Sequence, residues 1–528
     1  MAIYVFSLLT GYEMGGVDYA QAGRDKMLRA SGQEIKYIFT EAPIEKYIKR
    51  YADLGVRRED MISPQIFLAG TENLAGECRA ETLVRQYKEK YKDLTVEYQD
   101  TQINLFDKKG RIATLSLRED RETVCEVQHY NNERLLARDV YTDRRLWTEH
   151  YVTECDGGRC YAKHIRTTFV DSSGNTVYDC VYDRDGREQY VFSDGRILTK
   201  EQMIQRFLTA LHVEDNDIAI IDRPGSLPFV QPLFQMSNKP QMAVFLHSGH
   251  YYEPGEDPSA IYLNYEYYYW FKYADMIDCF IVSSQEQKRE LQLKLKDYEC
   301  SEPEIYVIPA SGIRSLHYAK KDRKKYSLLT VSRLQERKRV DRVIRAVMLA
   351  HQSLPEVTLD IYGTGDPRYI QELKNIVEEG DAGSYIRFMG HCDVTEVYVK
   401  YDAYITASLW ETLGLSLMEA AASGNAFIGL DVRYGNRMFI EKDGNGIRIP
   451  FSLEQLNRPE TEEYVVNAMA DAIVELFRDE DRLRRYRERS YEIAKEYLNS
   501  NLEKKWVEFV REILEQEKGE KEWSTILI

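Results

Sequence analysis

The sequence predicts an α/β protein built from two doubly wound, parallel-sheet domains, the first interrupted by an inserted antiparallel β-sheet. Three observations predict it. Apolar strands alternate with helix-spaced segments at the N-terminus and again from about residue 200 onward. Between about residues 72 and 198 the texture changes to short alternating strands divided by glycine-rich turns. A chain of 528 residues with 43% apolar content exceeds one ordinary core but supplies enough for two or three.

The N-terminal IYVFSLL reads as a buried parallel strand, and the Gly15-Gly16 turn leads into helix-spaced VDYAQAGRDKMLRASG and a second strand, IKYIFTEA. The turns FDKKGR, YNNER, CDGGRC, DSSGN, DRDGRE and SDGR then punctuate a hairpin meander with no sequence repeat. The α/β pattern resumes with helical LTKEQMIQRFLTALH and the strands DIAIIDRPG, QMAVFLHSGH, DCFIVSS and IYVIPA. After the polar, basic link SGIRSLHYAKKDRKK, a second α/β series runs from YSLLTVSR to AFIGLDV, followed by a charged helical C-terminus. The predicted division is 1–71 with 199–312 for the first domain, 72–198 for the insertion, 313–500 for the second domain, and 501–528 for a C-terminal helix and tail.

Composition narrows the function classes. The net charge of −16 argues against broad nucleic-acid binding while leaving room for a local basic site. No apolar run is long enough to span a bilayer, and the N-terminus lacks a basic n-region, so a cytoplasmic protein is expected. The eight cysteines form no CxxC pair and have no histidines at zinc spacing, so no metal site is expected. Cys155 and Cys160 flank an Asp-Gly-Gly turn as a cross-strand thiol pair, and all eight cysteines are expected to be reduced.

Several motifs carry chemistry. In LWETLGLSLMEAAASG (409–424), Glu411 lies in a turn and Glu419 on the helix that follows. Free amides at such a turn suit polar or anionic groups, and flanking carboxylates can accept hydrogen bonds from sugar hydroxyls. The same residues admit a second reading, in which Ser416 and Glu419 form a capping box. In TVSRLQERKRVDRVI (330–344), Arg333, Arg337, Lys338 and Arg339 crowd a helix start, where cations oppose the helix dipole unless an anion binds. A diphosphate would suit them, and a solvated charge run is the alternative. Gly15, Gly16, Gly363 and Gly365 sit in strand-to-helix turns that allow close approach to backbone, without the third glycine of a dinucleotide fingerprint. His247 and His250 follow a buried strand, at the end where parallel sheets place ligands. The aromatic run at 265–271 reads as helix core and partner-facing surface, and Asp183-Arg184-Asp185 reads as a β-turn.

Taken together, these residues resemble the retaining glycosyltransferases of family 4, which have the GT-B fold. Glu411, Gly414, Leu415 and Glu419 match the family's E-x-F-G-L-x-x-x-E-A motif, and Arg333 and Lys338 match its upstream R-x4-K pair. Leu413 stands where the family has phenylalanine and Thr412 where it has a small residue, departures that bear on donor preference. GVDYAQAGR and GLDVRYGNRMFI further resemble the GtfA-type subunits of bacterial accessory-secretion protein O-GlcNAc transferases. IIDRPGSLP and HSGH also resemble TarM-type wall teichoic acid glycosyltransferases. Both groups carry an inserted sheet in the N-terminal half.

The resemblance implies roles. The first domain would bind acceptor and the second a UDP-sugar donor. Arg333 and Lys338 would hold the donor diphosphate and stabilise the leaving group. Glu411 and the amides around Thr412, Leu413, Gly414 and Leu415 would orient the sugar, and Glu419 would bind the ribose. Gly15 and Gly16, with Gly363 and Gly365, would let backbone approach the donor. His247 or His250, with His250 favoured, would contact the transferred sugar. Retention is implied by the family, and with no covalent nucleophile in view, front-face displacement follows. No cofactor or metal is implied beyond the UDP-sugar itself. The implied activity is transfer of GlcNAc or glucose to serine or threonine of a serine-rich surface protein, in the cytoplasm or peripherally at the inner membrane face. Wall teichoic acid is the alternative acceptor. A non-catalytic GT-B partner subunit is the alternative of another class, and a central-metabolic glycogen- or sucrose-type synthase is a further reading. The inserted sheet would bind a partner subunit or mediate self-association.

Overall fold

A computed structural model of the chain describes residues 1–7, 16–222, 227–252, 262–452 and 458–526. The chain forms two compact units, Met1–Asp25 with Gly32–Ala243, and Lys26–Ser31 with Val244–Ile528.

In the first unit, strand Ala2–Ser7 lies between Glu34–Phe39 and Ile218–Ile221, with Met61–Ile62 beyond, all parallel. Ile3 sits opposite Ile35 on one side and Ile218 on the other, and all three are fully buried. Burial on both faces is why this strand reads as an unbroken apolar run. The helix expected over VDYAQAGRDKMLRASG is divided into Gly16–Gly23 and Asp25–Arg29. Between them the fully buried Arg24 turns its guanidinium to Asp222.

The insertion is the meander its turns predict. From Thr95–Gln99 to Ile197–Thr199, ten strands pair with their sequence neighbours, and Cys78–Arg79 pairs with the start of Thr123–Asn131. The insertion has its own core, in which Ile103, Leu105, Leu115 and Val127 pack under helix Ala80–Lys90. Polar contacts tie it to the preceding segment: Arg118 meets Glu45 at 3.2 Å, and Tyr178 donates to the Gln65 carbonyl. The turn at 183–187 is a backbone turn, with Asp183 accepting the amides of Asp185 and Arg187.

The cysteine expectation needs one correction. Register sets Cys155 directly opposite Cys160, with Cα atoms 4.1 Å apart across the Gly157-Gly158 turn, and the two form a disulfide. The other six cysteines are free.

The second unit holds a six-stranded parallel sheet. In chain order its strands are Lys324–Val331, Thr358–Tyr362, Ile386–Gly390, Tyr401–Thr406, Ala426–Leu430 and Gly446–Ile449, and they lie side by side in the order 3-2-1-4-5-6. That is the doubly wound order, and its direction reverses between the first and fourth strands. Leu359 and Ile361 alternate toward the apolar stripe of helix Val340–Ser353, where Val343 and Val347 are fully buried. This unit also contains the parallel pair Cys279–Val282 and Glu304–Val307, and the Leu246 amide bonds to the Ile281 carbonyl. The aromatic run is helix core in part: Tyr267, Trp270 and Phe271 are buried and Tyr268 is exposed. The charged C-terminus comprises three helices, Pro459–Arg478, Glu480–Lys495 and Asn499–Ile526. The last packs Trp506 near Phe245 and Phe509 against Tyr306. Among the described residues, no helix is long and apolar enough to cross a membrane.

Candidate functional site

The basic loop and the carboxylate loop leave neighbouring strands at the reversal of the six-stranded sheet. Arg333 follows strand Lys324–Val331, and Glu411 follows strand Tyr401–Thr406. Doubly wound sheets bind ligands in this crevice, because adjacent loops there diverge to opposite faces.

Two contacts tie the loops together. The Leu409 amide donates to the Arg337 carbonyl at 3.1 Å. Lys338 Nζ pairs with Glu411 Oε1 at 2.5 Å, with side chains 13% and 15% exposed. The two groups that the motif assigns to diphosphate and to sugar therefore hold each other. An ammonium has three donors, so Lys338 can keep Glu411 and still reach an anion.

The four clustered cations do not behave alike. Arg339 is committed to structure: it takes a left-handed conformation (φ 47°) at the start of helix Val340–Ser353, and its guanidinium meets Asp341 and Glu462 at 2.9 Å each. Arg333 and Arg337 are exposed and form no ion pair among the described residues. Arg333 and Arg337 are thus both uncommitted to a carboxylate among the described residues, beside Lys338.

Gly363 and Gly365 have a different cause from the expected one. A Cβ on Gly363 would lie 1.9 Å from the Ser332 carbonyl oxygen, and one on Gly365 would lie 2.1 Å from that of Leu334. The space a side chain would fill holds backbone, not ligand. These glycines let the turn press against the segment carrying Arg333, and a Leu334–Gly365 bridge closes the contact.

The carboxylate loop ends in helix Leu415–Ala422, whose N-cap is Gly414 in a left-handed conformation (φ 75°). The capping-box reading of Ser416 and Glu419 is therefore corrected. Ser416 lies inside the helix, where its hydroxyl accepts Tyr404 Oη at 2.9 Å. Among the described residues no acceptor is found for the amides of Thr412, Leu413 and Gly414. Leu413 is buried. Glu419 keeps an exposed surface. Crowding by surrounding protein nevertheless desolvates its carboxyl and raises its pKa, with Tyr398 opposing the shift and Asp393 adding to it. Tyr398 Oη fixes it, donating to Glu419 Oε2 at 2.8 Å.

The two histidines part company. His250 is fully buried beside Tyr251 and Phe271, and among the described residues neither ring nitrogen has a hydrogen-bond partner. Burial lowers its pKa to about 4, with Glu290 resisting the shift, so the ring is neutral at pH 7. His247 stacks on Phe245 at 4.2 Å and is only half-buried. The geometry thus favours His247, not His250, for contact with a ligand. Gly16 opens helix Gly16–Gly23 in the first unit and is exposed, and Gly15 lies outside the described residues.

Comparison with known proteins bears on this site directly. Residues 317–493, which carry the basic and carboxylate loops, match the glycosyl transferases group 1 family, and residues 95–194 match the GtfA extended beta-sheet domain. The chain is 32% identical over 521 residues to the UDP-N-acetylglucosamine–peptide N-acetylglucosaminyltransferase GtfA subunit of Streptococcus gordonii, covering 97% of this chain and 99% of that one. This chain belongs to the GtfA-subunit family. The crystal structure of the pneumococcal O-GlcNAc transferase GtfA in complex with UDP and GlcNAc superposes with a TM-score of 0.85 at 31% identity, over 97% of this chain and 99% of that one. TarM of Staphylococcus aureus, at 18% identity, shares the fold, with a TM-score of 0.71 over 96% and 99% of the two chains. The fold is accordingly GT-B, with the antiparallel sheet in its N-terminal region.

In this GtfA-family chain the structure adds contacts to which the motifs assign no role. The amides of Tyr434 and Gly435 donate to the Glu411 carbonyl at 2.6 and 2.7 Å, and the Glu411 amide returns to the Arg433 carbonyl at 3.3 Å. Gly249 is in the closest contact with Trp410: a Cβ there would lie 1.8 Å from Cζ2 of the indole. The HSGH turn thus lies against the residue preceding Glu411. Gly249 and Trp410 were visible inside quoted motifs, but nothing in their spacing pairs them.

Proposed function

We propose that the chain transfers GlcNAc from UDP-GlcNAc to serine or threonine hydroxyls of a serine-rich protein, with retention at the anomeric carbon. The observation that carries this reading is the Lys338–Glu411 pair at the sheet reversal, beside Arg333 and the open amides of Thr412 to Gly414. The full-length relative named for UDP-GlcNAc–peptide transfer, and the solved relative that holds UDP and GlcNAc, support the donor.

In this reading the acceptor hydroxyl oxygen forms a bond to C1 of the sugar. The C1–O bond to UDP breaks, and its electron pair leaves with the β-phosphate, which takes the acceptor proton. Charge on the leaving oxygen grows toward the transition state. Fixed cations stabilise that state more than the ground state, which is how they accelerate the step. Arg333 and Lys338 supply that charge, so no metal is needed for it. Glu411 and the neighbouring amides orient the sugar, Glu419 accepts the ribose hydroxyls, and His247 faces the transferred sugar. The inserted sheet engages a second subunit. The match to the GtfA extended beta-sheet domain and the relative's own description as a subunit support this. We place the reaction in the cytoplasm, which the lack of a membrane-crossing helix among the described residues accommodates.

Incubating the purified chain with UDP-GlcNAc and a serine-rich acceptor, alone and with its partner subunit, tests the proposal by intact-mass spectrometry. The expected result is successive additions of N-acetylhexosamine, removed by mild base as expected for O-linkage. Modification of a poly(polyol phosphate) acceptor but not of the peptide would move the assignment to teichoic acid.

A further inference from the structure

One helix, Gln285–Asp297, reaches both ligand-facing loops of the second unit. Gln287, Glu290 and Lys294 recur at spacings of three and four, so they share one face. Gln287 is fully buried, and its amide nitrogen donates to the carbonyls of Leu246 and Ser248 at 3.2 Å each. Those carbonyls flank His247, so this residue sets the HSGH turn. Asn264 supports it from the other side, donating to the Gly249 carbonyl at 3.2 Å.

One turn further along the helix, Glu290 collects three donors. Arg433 Nη1, Tyr434 Oη and Tyr251 Oη each reach its carboxylate at 2.8 Å. Arg433 also bonds Tyr251 Oη, and Arg437 reinforces the same helix through Glu286 at 2.5 Å. Tyr434 is fully buried, so its phenol is held along its whole length. The backbone of these anchored residues clamps Glu411, through the Tyr434 and Gly435 amides on its carbonyl. The fit is tight, since a Cβ on Gly435 would lie 2.6 Å from the Leu413 carbonyl oxygen and 3.1 Å from Glu411 Cβ. The segment 433–435 is a bracket: side chains fastened to Glu290, main chain fastened to Glu411.

We infer that Glu290 is a positioning residue for donor-sugar recognition, acting through Arg433 and Tyr434 to hold the Glu411 loop at a fixed distance from the HSGH turn. This rests on the reading that Glu411 faces the donor sugar. The carboxylate suits the task. Burial disfavours its charge, but Arg433 and the two phenols outweigh burial and hold its pKa below the ordinary value, so it is ionised at neutral pH. A charged acceptor with three donors forms shorter and stronger bonds than a neutral one, and it fixes the bracket in one arrangement. Because the helix also carries Gln287, the spacing of the two ligand-facing loops is set by a single rigid element.

The test compares wild type with Glu290→Gln, which keeps the shape and removes the charge, and with Tyr434→Phe, which removes one hydroxyl. Binding of UDP and of UDP-GlcNAc is measured separately by calorimetry, with kcat and KM alongside. Both variants are expected to bind UDP within about twofold of wild type. Glu290→Gln is expected to lower the affinity for UDP-GlcNAc relative to that for UDP, and kcat, by about 10- to 100-fold, as displacement of an orienting group by about 1 Å does. Tyr434→Phe is expected to lose less, in the same direction. Equal loss of UDP and UDP-GlcNAc binding together with a lowered Tm would make Glu290 a general structural residue and overturn the inference. So would unchanged sugar discrimination in both variants. A wild-type chain that turns over no UDP-GlcNAc with its acceptor and partner subunit would instead fail the proposed function, and that outcome is read before either variant is made.

Discussion

Replacing Lys338 with alanine is expected to lower GlcNAc transfer by about 10²- to 10³-fold in kcat, the usual effect of removing one preorganised donor from a developing oxyanion. The fold should persist, because the loop carrying Lys338 stays tied through the Leu409 amide on the Arg337 carbonyl. The structure adds a second consequence. Lys338 is the cation on Glu411, so its removal leaves a largely buried carboxylate without its partner. Lys338→Ala and Glu411→Ala should therefore be strongly non-additive, the double variant falling little below the worse single variant. Steady-state kinetics on the four members of the cycle measure this. Additive losses would mean that the two side chains act separately despite their contact.

Gly363→Ala is expected to destabilise the second unit by at least about 3 kcal/mol. Gly363 has a φ of +130°, and an added Cβ would meet the Ser332 carbonyl oxygen at 1.9 Å. Both partners are backbone, so neither can swing aside as a side chain would. Arg333 lies between the two residues whose carbonyls crowd Gly363 and Gly365, so any relief must move the cation proposed to hold the donor diphosphate. Donor affinity and thermal stability should fall together. Gly383→Ala is the control: its added Cβ meets nothing within 4 Å, and a change within about 0.5 kcal/mol is expected. Thermal unfolding of the two variants separates crowding from the loss of a glycine as such.

These effects mark where the amino-acid pattern was informative. The alternation of apolar strands with helix-spaced segments made the doubly wound sheets legible, because burial on both faces leaves a continuous apolar run. The inserted meander was legible because its turns need glycine, asparagine or aspartate at set positions. Glu411, Glu419, Arg333 and Lys338 were legible as a conjunction, since one strand-loop-helix unit carries each pair at short spacing. The positioning residues were not. Glu290 lies on an ordinary charged helix, and its role exists only once residues 433–435 fold against it. Gly249 and Trp410 meet across the unit with no periodic signal. Gly363 and Gly365 were visible but open to misreading, because sequence cannot tell whether a missing Cβ makes room for ligand or for backbone. The buried state of His250 was likewise hidden, as it depends on Phe271 closing over the ring.

In the proposed function the sheet reversal carries a UDP-GlcNAc site oriented by Glu411. Its most direct test is turnover of UDP-GlcNAc, UDP-glucose and UDP-galactose by the purified chain with its acceptor and partner subunit, in wild type and in Glu411→Ala. The expected result is selective turnover of UDP-GlcNAc by wild type and its loss in the variant, with UDP binding retained. Equal turnover of the three donors, or an active Glu411→Ala enzyme with unchanged selectivity, would contradict it.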